Sequence, residues 1–191
     1  MAQYTPSSGD FCRPYRSPWG AFPTRSFTVA STNAKILIGT MVTLSTGAAV
    51  GGVAQLAVVP STGAGGLNAT SIVGITAETA AAFTSSATLP TAISVWEANP
   101  QVEFKATTIG GAQASSVIGL RKALQWDSTL TIHRIDLTAS TATDWRVVVT
   151  QNLGAEGDSG GYMAFRFLGH LAGQIGSTIE SSLALLAFYS A

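Results

Sequence analysis

Apolar positions along this chain recur in short blocks with the period of two that marks β-strands, not the 3.6 of helices. Phe27-Thr28-Val29-Ala30 reads as a first strand. Ile36 to Leu44 is a stronger one, closed by Ser45-Thr46-Gly47. Val53 to Val59 stops at Pro60, and Ile72 to Ala77 follows a Gly-rich loop at 63–66. Further strands are expected at Ile93–Trp96, Val102–Thr107, Leu130–Leu137, Asp144–Thr150, Tyr162–Leu168 and Leu183–Tyr189. Turn signals separate them: Asn99-Pro100, Gly110-Gly111, and the loop Gly154 to Gly161. Helix is the minority state, with Ala77–Ala87 open between helix and loop and a helical turn at Ala112–Ile118. Short strands with turns between them predict a mainly β fold, an antiparallel β-sandwich or partly open β-barrel with short helical insertions. On Leu130–Leu137, Arg134 and Asp136 fall on one face with Leu130 and Ile132, and His133 falls on the other with Ile135 and Leu137, so neither face is cleanly apolar.

Residues 1–27 break the pattern. They hold four of the seven prolines, interleaved with Phe11, Tyr15, Trp19, Phe22 and Phe27 and with Arg13, Arg16 and Arg25. Proline fixes φ and removes a donor, so this segment is neither helix nor central strand. It predicts an extended N-terminal arm (1–27) preceding a single β domain (28–191), either reaching to a partner or folded back over its own domain. Aromatic and arginine side chains dominate binding hot spots. The expected partner-binding residues are therefore Phe11, Arg13, Tyr15, Arg16, Trp19, Phe22 and Arg25.

Charge sharpens the picture. From Ile36 to Trp96 the only charged side chain is Glu78. The whole chain of 191 residues carries 10 basic and 10 acidic groups, or 10% charged, against about 25% in ordinary domains. A neutral chain lacks the basic balance that phosphate neutralisation requires, so nucleic acid is not an expected partner. Such neutrality also promotes association, which suits a subunit packed against other proteins. The single cysteine, Cys12, forms no internal disulfide and fits synthesis in a reducing cytoplasm; it is expected to be an inert residue of the arm. Neither a signal-peptide layout nor a run of about 20 apolar residues is present, so no membrane contact is expected.

One motif looks like chemistry. Gly157-Asp158-Ser159-Gly160-Gly161 spells the nucleophile loop of chymotrypsin-like serine proteases, where a serine attacks and backbone amides form the oxyanion hole. That chemistry needs a histidine base well upstream. Here His133 precedes Ser159 by only 26 positions and His170 follows it. The simpler reading is a Gly-rich turn in which Asp158 caps its own backbone. Glu97 and Glu103, which flank Asn99-Pro100, read as strand-end carboxylates, and Trp96, Trp126 and Trp145 as core or interface aromatics. No catalytic, cofactor or metal residues are expected.

From Val95-Trp-Glu-Ala-Asn-Pro-Gln-Val-Glu-Phe-Lys-Ala onward, the chain resembles the capsid decoration (cement) proteins of tailed phages. Their spacing pattern continues in Ala114-Ser-Ser-Val-Ile-Gly-Leu, Leu130 to Leu137 and Asp144 to Thr150, and upstream in Ile38-Gly-Thr-Met-Val-Thr-Leu and Ile72-Val-Gly-Ile-Thr-Ala. The resemblance spans roughly residues 28–168. Glu97-Ala98-Asn99-Pro100 stands where the commoner form has Asp-Asp-Pro, and the aromatic arm is not a general family feature. The resemblance implies a non-enzymatic virion protein, made in the host cytoplasm. It would bind the outer face of a head shell, brace the major capsid protein and self-associate, often as a trimer. A tail-tube or head–tail joining protein, or a host-surface binding module, would share much of this composition.

Overall fold

The chain's β-branched blocks do become strands. A computed structural model describes residues 3–29, 35–45, 49–50, 53–54, 57–60, 72–80, 92–138 and 147–168. The strands are β1 (Arg13–Arg16), β2 (Thr24–Val29), β3 (Met41–Ser45), β4 (Ala49–Val50), β5 (Val53–Ala54), β6 (Ala57–Pro60), β7 (Ile72–Thr76), β8 (Ala92–Glu97), β9 (Glu103–Ile109), β10 (Arg121–Asp127), β11 (Ile132–Asp136), β12 (Val147–Asn152) and β13 (Tyr162–Phe167). One 3₁₀ turn, Ser115–Val117, lies within the expected helical turn. The protein is mainly β.

Two β systems divide the strands. β2, β6, β3, β7 and β8 form a closed barrel in that order, and β4 pairs with β5 in a short hairpin. The second sheet runs β1-β9-β11-β10-β12-β13, and β13 also pairs with β9. That extra pairing makes β9, β11, β10, β12 and β13 a ring, with β1 added beside β9. Most pairings are antiparallel, as expected, while β2–β6 and β11–β9 are parallel. The first barrel is closed. Closure removes the strand edges that would otherwise invite pairing with other chains.

The core explains the awkward strand β11. Phe27, Val29, Ile36, Val42, Val73, Ala80, Ile93 and Val95 fill the first barrel. A larger cluster joins Met41, Ile72 and Ile75 of the first barrel to Phe104, Phe165 and Phe167 of the second sheet. Those three rings are almost fully buried, with Phe167 edge-on to Phe104 at 5.2 Å and to Phe165 at 5.5 Å. Burying each contributes about 2 kcal/mol. Ile132, His133, Arg134 and Ile135 are all buried, so β11 is covered on both faces and cannot show a clean alternation. His133 Nδ1 accepts the Met41 amide at 3.1 Å and so ties the two β systems together. Arg134 pairs with Asp127 at 2.9 Å and donates to the Thr108 carbonyl.

Of the two placements expected for the arm, residues 13–16 take the folded-back one, against the second sheet. The arm's boundary at residue 27 falls inside β2, and Arg13–Arg16 is a strand of the second sheet. Cys12 is fully buried in the core, not an arm residue in solvent, and burial pushes its thiol well above the usual range. The reason is elementary: an extended segment rich in aromatics gains as much by covering its own sheet as by covering a neighbour. Pro14 is tolerated because β1 pairs with β9 alone, and an edge strand can lack a donor. The expected strand 183–189, most of the expected 77–87 segment, the loop 63–66, Trp145 and His170 lie outside the described residues.

Candidate functional site

The N-terminal segment is built into place by one carboxylate. Asp10 Oδ1 accepts the hydroxyls of Tyr4 and Tyr162, each at 2.6 Å. Its Oδ2 accepts the Ser7 amide at 2.7 Å and the Ser7 hydroxyl at 2.9 Å. Burial works to raise the Asp10 pKa, but the four hydrogen bonds outweigh it and hold the carboxyl at about 2. Burial and the Asp10 charge together push the Tyr162 hydroxyl up. Next along the chain, Phe11 lies on Gly39, whose φ of +80° favours glycine and where a Cβ would come within 2.5 Å of the Phe11 Cβ. β1 then adds to β9, with Arg13 opposite Lys105, Pro14 opposite Phe104 and Arg16 opposite Glu103.

Much of the aromatic and arginine content is satisfied within the molecule. The Arg13 guanidinium lies 5.7 Å from the Phe11 ring, Arg16 4.9 Å from Tyr15, and Arg25 5.8 Å from Phe27. Phe11, Arg13 and Tyr15 are half-buried, whereas Arg16, Trp19, Phe22 and Arg25 are exposed. Of the seven expected residues, these four are gathered around one short loop.

That loop, residues 17–23, joins β1 to β2. It is a structured turn. The Trp19 amide donates to Ser17 Oγ at 3.2 Å, and the Gly20 amide to the Ser17 carbonyl at 3.3 Å. The Thr24 hydroxyl donates to the Phe22 carbonyl at 3.1 Å, and the Pro23 carbonyl accepts the Glu97 amide at 3.0 Å. The turn presents Trp19, 55% exposed, and Phe22, 37% exposed. Large apolar rings held outward on a fixed backbone lose little entropy when a partner covers them. Arg16 and Arg25 flank them from β1 and β2. Sequence reasoning missed a second exposed apolar pair, Ile118 and Leu120, which follows the 3₁₀ turn.

The Gly157–Gly161 loop joins β12 to β13. Asp158 Oδ1 accepts the Gly160 amide at 3.0 Å, so it caps its own backbone. It also accepts the Tyr4 amide at 3.2 Å, and the Gln3 side-chain amide donates to Ser159 Oγ. A Cβ on Gly160 would sit 2.5 Å from the Tyr4 carbonyl oxygen and 2.9 Å from Pro6, so glycine here lets the N-terminal strap lie flat on the loop. Buried Gln113 clasps the other side, donating its amide to the Asp158 carbonyl and accepting the Gly157 amide, both at 2.8 Å. His133 is fully buried, with its Nδ1 on the Met41 amide and its ring 5.0 Å from Trp126. The arrangement builds a rigid turn, and Ser159 sits beneath residues 3–6.

Glu97 ends β8 and Glu103 opens β9, on either side of a turn in which Asn99 Oδ1 accepts the Gln101 amide at 2.9 Å. Glu103 pairs with Arg166 at 3.1 Å. Among the described residues no group of three or more His, Cys, Asp or Glu side chains could hold a metal ion, and no helix is long and apolar enough to cross a membrane. Tyr4, Asp10, Tyr162 and Lys105 organise the N-terminal face, yet none carried a sequence signal, because Asp10 and Tyr162 stand 152 positions apart. Comparison of the chain with protein-family models, with curated proteins and with solved structures found no match.

Proposed function

We propose that this protein is a structural virion subunit that binds the outer face of a tailed-phage head shell and braces the major capsid protein. It would act as a homo-oligomer, a trimer being favoured, with no role as an enzyme. The observation that carries the reading is the 17–23 loop. Trp19 and Phe22 are held out to solvent on a hydrogen-bonded turn between two strands, with Arg16 and Arg25 exposed beside them. Such a projection fits a docking element: aromatic anchors at the centre and arginines at the rim. The near-absence of charge from Ile36 to Trp96 suits a body packed among neighbours. Repeated engagement around a symmetric shell multiplies weak single contacts.

Removing residues 1–25 would be a poor test, because it would extract Cys12 and β1 from the fold. The clean variant is Trp19→Ser with Phe22→Ser, since both side chains face solvent. Purified heads lacking the protein are mixed with wild type or the variant and sedimented. Saturable wild-type binding that weakens at least about tenfold in the double variant, a loss of about 1.4 kcal/mol or more, with an unchanged Tm, is the expected result. Equal binding by both proteins removes the loop from the interface, and no binding by the wild type removes the head shell as partner.

A further inference from the structure

Four of the chain's ten basic side chains, Arg13, Arg16, Lys105 and Arg166, meet on one face. Strand register is the cause. Arg13 stands opposite Lys105 and Arg16 opposite Glu103, while Ala164 of β13 stands opposite Lys105 from the other side. Arg166, two positions further, reaches Glu103. Side chains alternate along a strand, so these residues share the side of the sheet opposite the buried rings of Phe104 and Phe165.

Like charges directly across a strand pair repel, and Arg13 with Lys105 is such a pair. Burial first, and the Arg13 charge second, depress the Lys105 pKa. The nearby carboxylates are already engaged. Glu103 is held by Arg166. Asp10 has all four of its acceptor directions filled by Tyr4, Tyr162 and Ser7. Among the described residues the ion pairs are Arg134–Asp127 and Arg166–Glu103, so neither Arg13 nor Lys105 has a carboxylate in contact. Aromatic rings steady them instead. The Lys105 ammonium lies 5.6 Å from the Tyr15 ring centre and 5.4 Å from that of Tyr162, and Arg13 lies beside Phe11. A cation held against a π face keeps its N–H donors available.

We propose that the outward face of β1, β9 and β13 seats a carboxylate-bearing segment of a partner protein, bound by Arg13 and Lys105 and flanked by Tyr15 and Tyr162. Glu103 and Asp10 border the seat and would repel a continuous phosphate backbone, which favours a protein segment with a discrete carboxylate over nucleic acid. β1 runs directly into the 17–23 loop, so one partner can engage both. The seat does not depend on that partner being a head shell.

The test uses the full chain and an acetylated, C-terminally amidated peptide with a single glutamate among glycines and serines, followed by calorimetry, with an oligothymidylate as comparator. Wild type binds the peptide saturably, and binding weakens as salt rises from about 0.05 to about 0.5 M. Arg13→Gln and Lys105→Gln each weaken it about tenfold. Lys105→Gln keeps or raises the Tm, because it removes a like-charge neighbour; a purely structural lysine would instead lower the Tm and leave binding alone. The Trp19→Ser/Phe22→Ser variant binds the peptide as wild type does, which separates this seat from the head-shell reading. Absent peptide binding, unchanged binding in the Arg13→Gln/Lys105→Gln variant, or tighter binding of the oligothymidylate through the same residues overturns the proposal.

Discussion

Cys12 offers a direct gauge of how firmly the N-terminal segment belongs to the fold. It is the only cysteine, it is fully buried, and burial raises its pKa. A thiol reagent can therefore reach it only through an opening that lifts residues 3–16. That opening must break the four hydrogen bonds to Asp10 and the pairing of β1 with β9. A hydrogen bond to a charged group is worth about 1.5–3 kcal/mol when buried. Asp10 is only half-buried, so we take about 1 kcal/mol each, or about 4 kcal/mol for the set. At about 1.4 kcal/mol per decade, native Cys12 should react about a thousandfold more slowly than the same thiol in the denatured chain. Asp10→Ala should erase most of that protection, about a hundredfold or more, while the far-ultraviolet β signal persists. The assay is the labelling rate with excess disulfide reagent, native against urea-denatured, for wild type and variant. Labelling of native wild type within about tenfold of the denatured rate would refute the reasoning: the segment would then be a loosely held arm.

Asp10 also gives stability a pH dependence. Its folded pKa is depressed to about 2 from an ordinary 3.8, so its contribution is present above about 3.8 and is lost as pH falls toward 2; urea midpoints between pH 6 and 2 should fall, less steeply in Asp10→Asn. The same experiment watches Asp127, where burial acts upward but Arg134 and the Leu130 and Thr129 amides hold the carboxyl down. Phe104→Ala removes a fully buried ring packed on Phe165 and Phe167 and should cost about 3–5 kcal/mol by urea unfolding. Gly39→Ala places a Cβ 2.5 Å from that of Phe11 at a φ of +80° and should cost more than about 1 kcal/mol, with faster labelling of Cys12 if the strain is relieved by lifting Phe11.

How much of this was legible beforehand depends on what each residue's neighbours are. The β-branched blocks Ile36–Leu44, Ile72–Ala77 and Ile93–Trp96 announce strands because both propensity and turn signals agree; β3 overlaps the end of the first, β7 lies within the second and β8 spans the third. β10 escaped notice. Arg121, Lys122, Gln125 and Asp127 surround a single fully apolar inward position, Leu124. Such a strand is held by its two neighbours, not by its own pattern. β1 escaped because Pro14 and its arginines read as an extended arm, and only an edge position tolerates such a strand. The N-terminal aromatics are expected at a partner interface; in the structure Phe11 and Tyr15 are half-buried, and Trp19 and Phe22 are exposed. Composition alone cannot separate burial against one's own sheet, as for Cys12, from exposure toward a partner, as for Trp19. Asp158 was legible as a local cap because the amide that donates to it is two residues away. The Tyr4–Asp10–Tyr162 cluster was not, since nothing local links its members.

We propose that the 17–23 loop meets a phage shell from outside. Electron cryomicroscopy of a particle carrying this protein tests it most directly. The account predicts density for the two β systems on the outer face of the head, with Trp19 and Phe22 covered by the major capsid protein. Density in the tail tube or at the head–tail joint, or a head-bound subunit with Trp19 and Phe22 still facing water, would contradict it.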